Sequence, residues 1–181
     1  SGETTREINN KPAGIYIVTM TDSLNNTDVD TFELRQPDAL SYSPDITDYN
    51  GFNVRSNGGD DGQVILFPSG GTPPYKCVWS DGYQQYKRNN MSAGTYSFTI
   101  SDANQCSTTG SVTLIAPSPL QFSFSNIQNP TCYGSEDGSV QLNISGGIGD
   151  YTVSWDNGSF ELNPTDLING YNEVRIYDNG R

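Results

Sequence analysis

Hydrophobic residues alternate with polar ones at every second position along much of the chain. This period of two is typical of half-buried antiparallel strands, whereas a helix would show a period near 3.6. The alternating residues are Ile15, Ile17, Val64, Leu66, Tyr96, Phe98, Ile100, Val140, Leu142 and Ile144. Turn dipeptides separate these runs, with Asp-Gly at 61, 81 and 137, Gly-Gly at 58, 70 and 146, and Asn-Gly at 157, 169 and 179. No segment predicts a helix, so we expect an all-β fold.

The sequence also repeats itself. The matching segments are 61–71 with 137–147 and 75–82 with 151–158, both 76 residues apart, and 13–22 with 93–102, which are 80 residues apart. A period near 80 exceeds the roughly 20 to 50 residues of a solenoid unit and suits a small sandwich domain. We therefore predict the C-terminal part of one unit at 1–37, a complete unit at 38–116, and a unit lacking its last strand at 117–181.

Each of the last two units carries one tryptophan on an alternating strand, Trp79 or Trp155. Tyr75 and Cys77 share a strand face with Trp79, because alternate side chains of a strand point the same way. Short strands, frequent turns and one core tryptophan per unit predict tandem immunoglobulin-like antiparallel β-sandwiches. Prolines at the joints, Pro37 and Pro117, restrict the chain there and favour a semi-rigid array.

Charge and composition narrow the function. The chain has 21 acidic and 9 basic residues, a formal net charge of −12, and no histidine. A serine–histidine or cysteine–histidine catalyst and a histidine-ligated metal are therefore excluded. Strong acidity argues against nucleic acid, because lysine and arginine supply most affinity for a phosphate backbone. No apolar run is long enough to span a membrane. We predict no catalytic, cofactor-binding or metal-binding residue.

The three cysteines leave alternatives open. Cys77 aligns with Val153 and is interpreted as a buried hydrophobe that carries a thiol. Cys132 aligns with Ser56, so one possible design bridges the positions of Cys132 and Cys106 within a single unit. The other is a Cys106 to Cys132 bridge across the joint. Geometry decides between them, and without histidine or a CxxC motif a metal site is not expected.

Two surface features are candidates for binding. Tyr83, Tyr86, Lys87 and Arg88 form an aromatic and basic cluster in an otherwise acidic chain and predict a ligand patch, although Tyr86 equally suits packing on its own sheet. The carboxylates at 60–61 and 136–137 precede strands and could hold calcium through oxygen ligands, or simply form tight turns. Three further carboxylates are predicted to cap the turn after a strand: Asp22, Asp102 and Asp178.

Three segments together carry a resemblance to a known family: the order of residues at 137–158, the run SAGTYSFTISDANQC at 92–106, and SGGTPPY at 69–75. They resemble the SprB-repeat family of Bacteroidetes gliding adhesins, which is similar to PKD and other Ig-like extracellular modules. The chain departs from the family pattern at Ser56, where the family has cysteine, and at 148–150. The resemblance implies a very long protein exported by the type IX system, displayed on the outer surface of the cell, and used to grip a substratum during gliding.

These observations lead to two function hypotheses. The first is a non-catalytic adhesin segment that meets an extracellular surface or polysaccharide and the outer-membrane secretion and motility machinery, without spanning the membrane itself. The alternative is an accessory spacer or carbohydrate-binding array of a secreted polysaccharide-degrading enzyme. The length and repeat content of the intact protein would separate them.

Overall fold

The computed structural model describes residues 7–178, and these residues contain twelve strands and no helix. The strands are β1 (Gly14–Thr21), β2 (Thr27–Leu34), β3 (Ser41–Ile46), β4 (Gly62–Ser69), β5 (Lys76–Trp79), β6 (Lys87–Met91), β7 (Gly94–Ser101), β8 (Ser107–Leu114), β9 (Gln121–Gln128), β10 (Ser139–Ser145), β11 (Thr152–Trp155) and β12 (Val174–Tyr177). Every pairing between them is antiparallel. The predicted all-β class is confirmed.

Strands β3 to β8 form a sandwich of two three-stranded sheets, with orders β3-β4-β6 and β5-β7-β8. These orders match the A-B-E and C-F-G sheets of an immunoglobulin-like domain. The inward side chains of both sheets meet in one core, which is built from Val64, Leu66, Cys77, Trp79, Met91, Phe98, Ile100, Val112 and Leu114. Trp79 lies at its centre with 1% of its surface exposed, tilted against Phe98 at a ring distance of 5.1 Å.

The flanking segments contain parts of the same design. β1 and β2 form one hairpin, whose strands pair in the same register as β7 and β8. β9 pairs with β10 and β11 with β12, around a smaller core of Val140, Leu142, Val153, Trp155 and Leu167. These groups follow the segments expected from the repeats, and the boundaries at 37 and 116 stay a prediction.

The structure corrects the face assigned to Ile15 and Ile17. Buried Phe98 and Ile100 of β7 align with Val18 and Met20 of β1, so Ile15 and Ile17 lie on the opposite face. Both faces of β1 are exposed, with Ile17 at 69% and Met20 at 67%, so the alignment with β7 and not the exposure decides the face. The prediction that they share the inward face was wrong because a shift of one residue reverses every side chain of a strand.

Each sandwich has two distinct ends. We call the end of the middle unit that holds Asp38 and the β7–β8 turn its leading end, since Gly71 N–H donates to the Asp38 carbonyl and Ala103 N–H to the Thr72 carbonyl. The trailing end holds the β3–β4 loop and Ile115, whose carbonyl accepts the Asn53 N–H at 2.8 Å.

This arrangement settles the cysteine alternatives. Cys106 lies in the turn at the leading end of the middle unit, while Ser56, the counterpart of Cys132, lies in the loop at its trailing end. The eight-residue β8 spans the distance between these ends, roughly 24 Å at about 3.4 Å per residue. A disulfide requires Cα atoms about 4.4 to 6.8 Å apart. A bridge within one unit is therefore excluded.

The bridge across the joint is excluded on the same grounds. Cys106 and Cys132 lie at the ends of their units that face away from the joint at Pro117, and both are free and exposed. Cys77 is free and buried, as predicted, and its burial raises the pKa of the thiol.

Candidate functional site

The predicted ligand patch lies where β5 turns toward β6. The turn closes because Gly82 N–H donates to the Trp79 carbonyl and Trp79 N–H donates to the Tyr83 carbonyl, both at 2.8 Å. Gly82 has a φ of 87°, a left-handed conformation that favours glycine. The Asp81 carboxylate accepts the Tyr83 N–H at 3.2 Å. The Asp-Gly pair thus fixes the position of the Tyr83 ring.

Arg88 lies at the centre of this cluster. Its guanidinium carbon lies 5.2 Å from the ring centres of Tyr83 and Tyr96 and 5.3 Å from that of Trp79. Its Nη2 also forms an ion pair with Asp81, and this hydrogen bond is the main cause of the lowered pKa of the Asp81 carboxyl. Only 19% of the Arg88 side chain is exposed. The guanidinium is therefore already engaged by three aromatic faces and a carboxylate.

The other patch residues separate into two groups. Tyr83 is exposed, and its hydroxyl donates to the Lys87 carbonyl at 3.3 Å, so Tyr83 and Lys87 lie together on the surface beside the largely enclosed Arg88. Tyr86 is half-buried against the core, and burial is the main cause of the raised pKa of its phenol. The packing alternative for Tyr86 is confirmed, and a ligand role for the other three residues stays a prediction.

The patch occurs once in the described chain. Asn157, Ser159, Leu162 and Pro164 stand in the third unit where the middle unit has Asp81, Tyr83, Tyr86 and Arg88. The structural part of the turn is kept, because Trp155 Nε1 donates to the Glu161 carbonyl at 2.9 Å, as Trp79 Nε1 does to Gln85. Both units therefore form the same turn, whereas the charged and aromatic side chains on it occur only in the middle unit.

One of the loop carboxylates considered for calcium, Asp137, is engaged by its own loop. Asp137 accepts the Thr131 N–H at 2.9 Å, the Thr131 hydroxyl at 2.5 Å and the Ser135 hydroxyl at 2.6 Å. These hydrogen bonds, that from Ser135 first, lower the pKa of Asp137 to about 2. Within residues 7–178 no three cysteine, aspartate or glutamate side chains converge as a metal site. Calcium at these loops stays a prediction.

The turn aspartates behave as predicted at two positions. Asp102 Oδ1 accepts the N–H groups of Asn104 and Cys106, each at 2.9 Å, and its Oδ2 accepts the Thr72 N–H. Asp22 makes the same turn in the first hairpin and its pKa is lowered, chiefly by hydrogen bonding to the Asn26 side chain. These carboxylates hold hairpins, and their capping role is confirmed.

A further feature, the outer face of the β5-β7-β8 sheet, was missed from the sequence. Every outward position of β7 and β8 is serine or threonine: Thr95, Ser97, Thr99 and Ser101 on β7, and Ser107, Thr109, Ser111 and Thr113 on β8. A depression of about 500 Å³ lies on this part of the sheet, lined by residues that include Val78, Ser97, Thr99, Thr109 and Ser111. Alternating hydroxyl residues on two consecutive strands are the sequence signal that could have revealed it.

Comparison with known proteins finds a match for one part of the chain. Residues 124–160 match the family model of the SprB repeat, so this segment is similar to SprB repeats. It covers β10, β11 and the Trp155 turn. No curated protein and no solved structure matches the chain. In the described residues, no helix is long and apolar enough to cross a membrane.

Proposed function

We propose that this chain, which matches the SprB-repeat family model over residues 124–160, is a non-catalytic repeat segment of a long cell-surface adhesin. In this role the units form a semi-rigid rod that displays or mediates attachment to surfaces during gliding. The rod lies outside the cell, is exported by the outer-membrane secretion machinery, and meets an extracellular surface or polysaccharide. The observation that carries this proposal is the construction of the joint between the middle and third units.

The joint begins with residues that are held by the middle unit. Ile115 N–H donates to the Asn53 side-chain oxygen at 2.9 Å, and the Asn57 side-chain amide donates to the Pro117 carbonyl at 3.2 Å. Pro117 is fully buried. The residues from 115 to 117 therefore do not form a free linker.

The next residues are held by the third unit. Gly147 N–H donates to the Ser118 carbonyl at 2.9 Å, and a Cβ on Gly146 would overlap the Pro119 carbonyl. The chain thus passes from one unit to the next between residues 117 and 118 without an unattached residue. The Asn50 side-chain amide also donates to the Ile148 carbonyl at 3.5 Å across the joint. A joint of this kind limits bending and supports the rod.

Charge supports the same proposal. A net charge of −12 keeps neighbouring chains apart and soluble, which suits a densely displayed protein. The absence of histidine fits a role in which no group needs to titrate near neutral pH.

The proposal is tested on intact cells that produce the protein. Antibodies raised against residues 38–116 should label unpermeabilised cells, and their Fab fragments should reduce attachment to glass and slow gliding. Fab fragments against an abundant cytoplasmic protein serve as the matched control. Labelling that requires lysis would contradict the proposal. Recovery of the segment in the culture fluid on a polypeptide with glycanase activity would instead establish the enzyme-accessory alternative.

A further inference from the structure

The outer face of the β5-β7-β8 sheet is a regular array of hydroxyl groups. Cross-strand pairs place Thr95 beside Thr113 and Thr99 beside Thr109, and the Thr95 and Thr113 hydroxyls are 2.9 Å apart. Neighbouring strands lie about 4.8 Å apart, and same-face residues about 6.8 Å apart along a strand. Four such rows of paired hydroxyl side chains form an extended grid that we call the hydroxyl face.

The hydroxyl face carries almost no charge. β7 and β8, which are described in full, contain no acidic or basic residue, and Lys76 is the one charged residue of β5. Elsewhere the chain is strongly acidic, with a net charge of −12. Val78 lies in the row of Thr99 and Thr109 and adds an apolar contact at the depression.

The fold does not require this composition. In the first hairpin, which has the same register, Ile17 and Glu33 stand where the middle unit has Ser97 and Thr113. In the third unit, Arg175 stands where the middle unit has Thr99, and it pairs with Glu173. The hydroxyl face is thus a property of the middle unit alone among the described parts of the chain.

We propose that the hydroxyl face is a binding surface for a neutral polysaccharide. A serine or threonine hydroxyl both donates and accepts hydrogen bonds, so a grid of them can match the hydroxyls of a sugar chain in either sense. The threonine methyl groups and Val78 offer apolar contact to the carbon-bound hydrogens of the sugar rings. The acidic remainder of the chain repels polyanions, which selects an uncharged polymer. This inference rests on the adhesive function proposed above and names its surface and ligand class.

The test is affinity electrophoresis of the whole chain in gels that contain a neutral or a charged polymer. The probes are hydroxyethyl cellulose and guar galactomannan, both neutral, and carboxymethyl cellulose, which is anionic. A variant carrying Ser97→Ala, Thr99→Val, Thr109→Val and Ser111→Ala removes the central hydroxyls and leaves charge and core unchanged. The matched control is Thr19→Val with Thr31→Val at the equivalent outward positions of the first hairpin.

We expect at least one neutral polymer to retard the parent and the control equally, and the central variant about tenfold more weakly. Carboxymethyl cellulose should leave the parent unretarded. A second variant, Ser111→Glu, should abolish retardation by placing a charge at the centre of the grid. Far-UV circular dichroism of each variant confirms that the strands form.

Three results would overturn the inference. These are no retardation of the parent by either neutral polymer, equal retardation of the parent and both face variants, or equal retardation in the anionic polymer. None of these results changes the outcome of the cell-labelling test. The adhesin proposal can therefore hold even if the hydroxyl face does not bind a neutral polysaccharide. Equal retardation of parent and face variants would direct attention to the surface of Tyr83 and Lys87.

Discussion

The middle unit and the third unit surround their tryptophans with the same turn but close their cores differently. In each, the indole N–H donates at 2.9 Å to the carbonyl six residues later, at Gln85 or Glu161. Trp79 is tilted against Phe98 of β7 at 5.1 Å, whereas Trp155 has Phe124 of β9 at 6.4 Å. The local turn is therefore independent of how much core lies beneath it.

Part of the core of the middle unit comes from β8. In the middle unit this strand contributes buried Val112 and Leu114, and Tyr42 packs edge-on to Phe98 at 4.9 Å. Within the described residues, the third unit has no counterpart of β8, and Phe122, the counterpart of Tyr42, is 59% exposed. The comparison shows that the tryptophan turn forms from neighbouring residues, and that in the middle unit β8 adds buried side chains to the core around it.

The largest expected effect is on the tryptophans. We expect Trp79→Ala to lower the free energy of unfolding of the middle unit by about 3 to 5 kcal/mol, because it removes the centre of a closed core. Trp155→Ala should cost the third unit less, because fewer buried side chains surround it. Urea denaturation followed by far-UV circular dichroism measures both losses. Equal losses would show that β8 does not determine how strongly the tryptophan is held.

The next effect concerns the contact between β8 and the opposite sheet. A Cβ on Gly110 would overlap the Tyr42 ring, which packs over this position. We expect Gly110→Ala to destabilise the middle unit by about 1 to 3 kcal/mol through overpacking. Ser111→Ala, one residue along and outward-facing, is the matched control and should change stability little. Thermal unfolding of the two variants checks this, and similar melting temperatures would mean that Tyr42 moves aside freely.

Much of the fold could be predicted because its signals are local. The period of two, the turn dipeptides and the repeat offsets identified an all-β array, and the face of Cys77 and Trp79 followed from alternation alone. Alternation alone does not give the face of Ile15 and Ile17, since a shift of one residue reverses every side chain of a strand. The 80-residue repeat offset does give it, because it aligns Val18 and Met20 of β1 with buried Phe98 and Ile100 of β7.

The candidate site was harder to predict because it depends on contacts between strands. The sequence grouped Tyr83, Tyr86, Lys87 and Arg88 by proximity, but Tyr86 turns into the sandwich and Arg88 is enclosed by aromatic rings. The ring of Tyr96 comes from β7, which no local pattern connects to Arg88. The end of the sandwich at which each cysteine lies could likewise be predicted only by knowing the direction of every strand.

A smaller effect tests whether Arg88 stabilises the middle unit, where the third unit has Pro164. We expect Arg88→Met to lower stability by about 1 to 2 kcal/mol, because a guanidinium over aromatic rings contributes about 0.5 to 2 kcal/mol and methionine keeps only the apolar stem. Lys87→Met is the matched control, since the Lys87 side chain is exposed. Urea denaturation of both variants measures the effect. A loss as large for Lys87→Met would contradict a specific role for the enclosed guanidinium.

The smallest effect appears only in acid and concerns the loop before β10. The folded pKa of Asp137 is about 2, below its ordinary value of 3.8, because Ser135 and Thr131 donate to the carboxylate. A lowered folded pKa stabilises the fold above the unfolded pKa, and this contribution is lost as pH falls from about 4 toward 2. Asp137→Asn should therefore lower the melting temperature of the third unit at pH 6 and leave it nearly unchanged near pH 2. Asp156→Asn controls for net charge, because Asp156 is exposed and lies outside this loop. Parallel pH profiles for the parent and Asp137→Asn would show that the hydrogen bonds from Ser135 and Thr131 to the carboxylate do not contribute to the stability of the third unit.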